Sequence, residues 1–130
     1  MKKSSQDLAL LKKLSERKTP TIAVDLDGTL ASFSKWNGYD YIGAPIPETV
    51  KLIRKFKKEG AHIIIHSCRV TTADNQVYLK SVNRVTKWLI NNKVPFDEIW
   101  LGTGKVFANI YVDDNAVNPH CHECVQRITK

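Results

Sequence analysis

A chain of 130 residues with 42% hydrophobic and 25% charged residues is sized for one domain around one packed core, which excludes a disordered or fibrous polymer. Its formal charge of +7 favours anionic ligands, although the basic runs at 2–18 and 51–60 read first as solvated helix faces and second as an anion-binding surface. No apolar stretch approaches a bilayer span, and the three cysteines Cys68, Cys121 and Cys124 cannot all pair, so a cytoplasmic, reducing, membrane-free setting is expected.

In chain order, QDLALLKKLSERK (6–18) places Leu8, Leu11 and Leu14 about one helical turn apart and predicts a leading amphipathic helix, ended near Pro20. TIAVDL (21–26) is short, β-branched and apolar, the pattern of a strand covered on both faces. Residues 32–47 are rich in turn formers and aromatics and predict a loop or small flap. PETVKLIRKFKKEG (47–60) predicts a helix opened by Pro47 and closed by Gly60, with Val50, Ile53 and Phe56 as its buried stripe. AHIIIHS (61–67) predicts a second buried strand. The 74–92 segment predicts a long helix that buries Tyr78, Val82, Val85 and Leu89. DEIWL (97–101) and ANIYVDD (108–114) predict two more strands, and 118–130 a tail. The alternation is that of a parallel, Rossmann-like α/β/α sheet with helices on both faces, built as a single domain over 1–130 with no internal repeat.

In such sheets ligands bind at the carboxyl ends of the strands. The chain puts polar residues there each time: Asp25 and Asp27, then Ser67, then Asp113 and Asp114. Converging carboxylates repel one another and call for a cation, and an all-oxygen set favours a hard one, Mg²⁺. Such an ion offsets repulsion between a carboxylate nucleophile and a phosphate, so that one aspartate can attack phosphorus while its neighbour handles protons. Alternation along a strand lets Asp25 and Asp27 face one ligand while Leu26 faces the core. Gly28 permits a sharp turn, and Thr29 adds a hydroxyl.

VDLDGTL (24–30), IIIHSCR (63–69) and GKVFANIYVDDNA (104–116) together resemble, in order, the four motifs of the haloacid dehalogenase superfamily of phosphohydrolases over about residues 21–117. The resemblance implies roles. Asp25 is the nucleophile and a Mg²⁺ ligand. Asp27 is the general acid/base and lends its backbone carbonyl to the metal. Ser67 and Lys105 serve the phosphoryl group, and Asp113 with Asp114 completes the metal site. Gly28, Thr29, Cys68 and Arg69 are placed to meet substrate. Val106 departs from the proline common after the lysine in such proteins and bears on how Lys105 is placed. The short intervals between motifs resemble the small capless members, whose open site suits a large substrate end or is roofed by another copy in a homo-oligomer.

The expected activity is Mg²⁺-dependent phosphomonoester hydrolysis through an aspartyl-phosphate. A nucleotide or nucleic-acid end is the favoured substrate, from the basic charge, the missing cap and the aromatics Trp36, Tyr39 and Tyr41. A sugar phosphate or other small metabolite stands second, and a non-catalytic binding module with the same fold is the competing class. A receiver domain fits less well, since its acceptor aspartate ends the third strand, where this chain has Trp100-Leu101-Gly102. GTGKV (102–106) is no P-loop, because Ile99 and Val106 stand where Gly and Ser/Thr are required. HCHEC (120–124) lacks a second ligand pair and reads as a surface tail before a zinc site. His62 and His66 read as core or rim residues.

Overall fold

The structure, a computed structural model, describes residues 20–70, 78–102, 104–114 and 126. Its elements are β1 (Thr21–Asp25), α1 (Pro47–Lys58), β2 (His62–His66), a 3-10 turn (Cys68–Val70), α2 (Leu79–Asn91), β3 (Glu98–Ile99) and β4 (Ile110–Val112). All strands run parallel in the order β3-β2-β1-β4, the Rossmann-like α/β sheet expected from the alternation. The helix expected at 6–18, residues 74–77 and the HCHEC segment lie outside the described residues. Neither described helix is long and apolar enough to cross a membrane.

β1 and β2 are central, which is why their sequences are apolar on both sides. Ile22, Val24, Ile63 and Ile65 point to one face and pack with Val50 and Ile53 of α1 and with Val85, Trp88 and Leu89 of α2. Ala23 and Ile64 point to the other face and meet Val106, with Trp100 and Ala108 beside it. Topology accounts for this division. The steps β1 to β2 to β3 move one way across the sheet, so crossovers of one hand leave both helices on the same face. The return from β3 to β4 passes over the opposite face, where among the described residues the cover is the helix-free stretches 100–102 and 104–109. The expected layering with helices on both faces is therefore seen, among the described residues, on one face only.

Local chemistry sets the element ends. α1 closes in a Schellman turn: Gly60 N–H donates to Lys57 O at 2.9 Å and Ala61 N–H to Phe56 O at 3.0 Å, with Gly60 at φ 95°. α2 begins at Leu79, not at 74 as its periodicity suggests, because Tyr78 is extended (φ −99°, ψ 91°). Tyr78 N–H donates to Val70 O at 2.8 Å, and its ring meets that of Tyr39 edge-on at 5.1 Å. A tertiary contact thus removes Tyr78 from the stripe to which its spacing assigned it. β4 is apolar in sequence yet, among the described residues, forms the sheet edge, with Ile110 and Tyr111 exposed.

Asp97 fixes the β2–β3 register. It accepts the Ile63 N–H at 2.7 Å and the Lys57 ammonium at 2.6 Å. Burial pushes its carboxyl up, but those two donors outweigh burial and hold it below the usual range. The flap is a single loop closed at its base: Ala31 pairs antiparallel with Pro45, Ser32 N–H donates to Ala44 O at 2.8 Å, and Trp88 Nε1–H donates to Gly43 O at 3.0 Å.

Candidate active site

β1 has neighbours on both sides, and the sheet reverses its strand order between β1 and β4, the position at which open α/β sheets form a crevice. The register pairs Asp25 with His66 of β2, and Val24 with Val112, so Asp113 follows directly beside Asp25. Asp25, Asp113 and Asp114 each bring a carboxylate oxygen within 4.8 Å of the others. Burial, followed by the negative charge of Asp113 and with smaller help from Asp114 and Asp27, pushes the Asp25 carboxyl up to about 7, against a backbone hydrogen bond at Leu26 that lowers it. Burial supplies the largest part of that rise, and the neighbouring carboxylates add to it.

Two residues hold the cluster together. The Thr29 hydroxyl accepts Asp114 N–H at 3.0 Å and stands 3.1 Å from Asp114 Oδ1 and 3.4 Å from Asp25 Oδ2, so its one proton serves two carboxylates. Gly28, at φ 84°, forms the floor: a Cβ there would lie 2.8 Å from Asp114 Cγ. The turn after β1 makes this geometry, because Leu26 O accepts N–H groups from Thr29, Leu30 and Ala31 in succession.

The same turn separates the two motif aspartates. β1 ends at Asp25, so strand alternation does not carry through to Asp27. Instead Asp27 takes a two-pronged pair from Arg69: Nε–H to Oδ2 at 2.7 Å and Nη2–H to Oδ1 at 2.8 Å. Arg69 is 2% exposed. Its Nη1 donates to Gly38 O at 3.1 Å and Tyr39 O at 3.2 Å, and its guanidinium lies 4.7 Å from the Trp36 ring centroid. One buried cation therefore ties Asp27 to the flap.

The other expected site residues have distinct surroundings. Ser67 Oγ accepts Arg69 N–H at 3.2 Å and so starts the 3-10 turn, on which Cys68 is an exposed free thiol. Lys105 is exposed, with Nζ 4.7 Å from the centroid of Tyr111. His66 is the residue whose place the sequence reading understated. It is half-buried next to Asp25, and its Nε2 is buried without a hydrogen-bond partner among the described residues. Burial lowers its pKa despite the attraction of Asp113. Aligning the ends of AVD and IIH at the same strand level would have revealed that neighbour.

An all-oxygen donor set of three carboxylates, one held short of charge and one cradled by Gly28, fits a hard divalent cation such as Mg²⁺.

No protein-family profile and no curated protein matches the sequence. Among solved structures, a conserved protein from Bacteroides thetaiotaomicron is similar with a TM-score of 0.59 at 23% identity, over 77% of this chain and 79% of that one. A Vibrio cholerae protein is similar with a TM-score of 0.49 at 26% identity, over 85% of this chain and 98% of that one. A chain of the Pnkp1/Rnl/Hen1 complex gives a TM-score of 0.49 at 14% identity, over 80% of this chain and 32% of that one. Sheet order, crossovers and the Bacteroides likeness together make this chain a Rossmann-like α/β protein.

Proposed function

We propose that the protein is a Mg²⁺-dependent phosphomonoester hydrolase of the haloacid dehalogenase type, working through an aspartyl-phosphate on Asp25. The observation that carries this reading is the meeting of Asp25 with Asp113 and Asp114 at the β1–β4 crevice, their oxygens within 4.8 Å of one another. Asp25, Asp113 and Asp114 would hold the ion, with the Asp27 backbone carbonyl as a further donor. Bound there, Mg²⁺ would screen the nucleophile from the phosphate and stabilise charge on the transferring phosphoryl group.

The chain's own residues do the rest. An oxygen of Asp25 attacks phosphorus, a new O–P bond forms, and the bond to the leaving oxygen breaks. Asp27 gives that oxygen a proton. A water then attacks phosphorus, Asp27 takes its proton back, and inorganic phosphate leaves with Asp25 regenerated. Beside its Arg69 bond each Asp27 oxygen keeps a second lone pair, on which it would carry a proton taken up from solvent and delivered to the leaving oxygen. Ser67 and Lys105 are the candidates for binding the phosphoryl oxygens. An exposed thiol at Cys68 suits a reducing, cytoplasmic setting.

The test is phosphate release from p-nitrophenyl phosphate, nucleotides and sugar phosphates with and without Mg²⁺. Turnover is expected to need the ion and to fall by at least about a thousandfold in Asp25→Asn, the scale set by loss of a nucleophile. Undiminished turnover by that variant would sink the mechanism.

A further inference from the structure

A cavity of about 310 Å³ opens between the flap and Arg69, its wall including Phe33, Ser34, Lys35, Asn37 and Tyr41. We propose that this cavity is the leaving-group pocket of the reaction and takes the planar base of a phosphorylated nucleoside. The inference rests on the phosphomonoesterase reading and adds to it the class of group that the phosphate leaves behind.

Position comes first. In an in-line displacement the leaving oxygen departs on the side of phosphorus away from Asp25 and must meet the proton donor, Asp27. Asp27 is bound through both oxygens to Arg69, and Arg69 lines the cavity. Arg69 thus touches both the proton donor and the cavity wall, and along this shared residue a group attached to the leaving oxygen would reach the cavity.

The chemistry of the wall selects among leaving groups. Phe33 is 49% exposed and Tyr41 55%, two large rings offering apolar surface that a stacked heterocycle would cover. Asn37 carries an amide that can both donate and accept, as a base edge requires. Among the described residues its Nδ2 is engaged only by a long 3.4 Å bond to Lys35 O, which a better acceptor can replace. Polyols are commonly gripped by carboxylates, and among the described residues none lines the cavity, whereas Lys35 brings a cation to it. The volume lies at the small end of ligand pockets, suited to one terminal nucleoside.

The pocket is also pre-shaped. Arg69 holds the carbonyls of Gly38 and Tyr39, and Arg84 Nε donates to Asp40 O at 2.8 Å. Trp36, Tyr39 and Tyr78 interlock edge to face at 5.0 and 5.1 Å. A flap so held needs little further ordering when a ring enters.

The experiment is calorimetric titration of the full-length Asp25→Asn chain, with Mg²⁺ present, by adenosine 5′-monophosphate, ribose 5-phosphate and a 5′-phosphorylated oligonucleotide. The nucleotide is expected to bind at least about tenfold more tightly than the base-free ribose phosphate, the scale of one base–aromatic stack. Adding Phe33→Ala or Tyr41→Ala, both at exposed positions outside the core, is expected to erase that preference. Equal affinity for the two small phosphates, or a preference that survives both substitutions, overturns the proposal. Equal binding of mononucleotide and oligonucleotide identifies a free nucleotide as the source, and tighter binding of the oligonucleotide identifies a polynucleotide end; both support the pocket. Turnover of p-nitrophenyl phosphate by the wild-type chain is measured alongside. Its absence together with a retained base preference would reject the hydrolase and leave the pocket standing.

Discussion

Arg69 gives the sharpest energetic prediction, because it is a buried cation whose partners among the described residues are Asp27, Gly38 and Tyr39. Replacing it by Met keeps much of the side-chain volume and removes the charge. The substitution strands the Asp27 carboxylate and two flap carbonyls. Breaking a buried ion pair by removing one partner costs about 3–5 kcal/mol. Asp27 retains 15% side-chain exposure and can regain some water, so the lower end applies, about 3 kcal/mol. An unfolding entropy of about 0.27 kcal/mol per kelvin for a chain this long turns that loss into a Tm about 11 °C lower. Urea unfolding followed by tryptophan fluorescence measures it, and a cycle with Asp27→Asn isolates the pair. Each single variant leaves a group unmatched, whereas the double variant leaves none charged, so the two losses should overlap by about 2 kcal/mol or more. Additive losses, with a coupling below about 0.5 kcal/mol, would refute the claim that Arg69 acts by holding Asp27.

The raised Asp25 carboxyl makes a prediction about pH. Its folded value of about 7 lies above the ordinary 3.8, so between them the folded chain keeps a proton that the unfolded chain has released. Metal-free stability should therefore fall as pH rises from about 4 to 7, and that slope should shrink in Asp25→Asn; equal slopes would show that Asp25 is not the group responsible. Mg²⁺ competes with the same proton, so its thermal stabilisation should grow over that window, and a shift independent of pH would contradict its placement on Asp25. Gly28→Ala meets Asp114 and forces φ 84° on a side chain, so it should abolish the Mg²⁺ shift at pH 7.5 and lower Tm by several degrees. A full Mg²⁺ response in that variant would remove Gly28 from the site.

How far the site was legible varies residue by residue. The convergence of Asp25 with Asp113 and Asp114 could be read from two apolar runs that each end in paired aspartates, because central strands must be apolar and parallel strands end together. The fate of Asp27 could not. Period-2 reasoning keeps it beside Asp25 only while the strand continues, and the strand stops at Asp25 in favour of a turn around Leu26 O. Tyr78 likewise fits a helical stripe until its contact with Tyr39 is known. His66 beside Asp25 needed the β1–β2 register.

The sequence by itself determined the parallel α/β architecture, the Val50, Ile53 and Phe56 stripe of α1, the Val82, Val85 and Leu89 part of that of α2, and the acidic cluster, since hydrophobic periodicity and strand-end chemistry are local properties. The tertiary structure alone decided the strand order that makes β4 an edge among the described strands, the one-sided placement of α1 and α2, and the latch through which Arg69 joins Asp27 to the flap. Those depend on pairings between residues 30 to 88 positions apart, which no local pattern encodes.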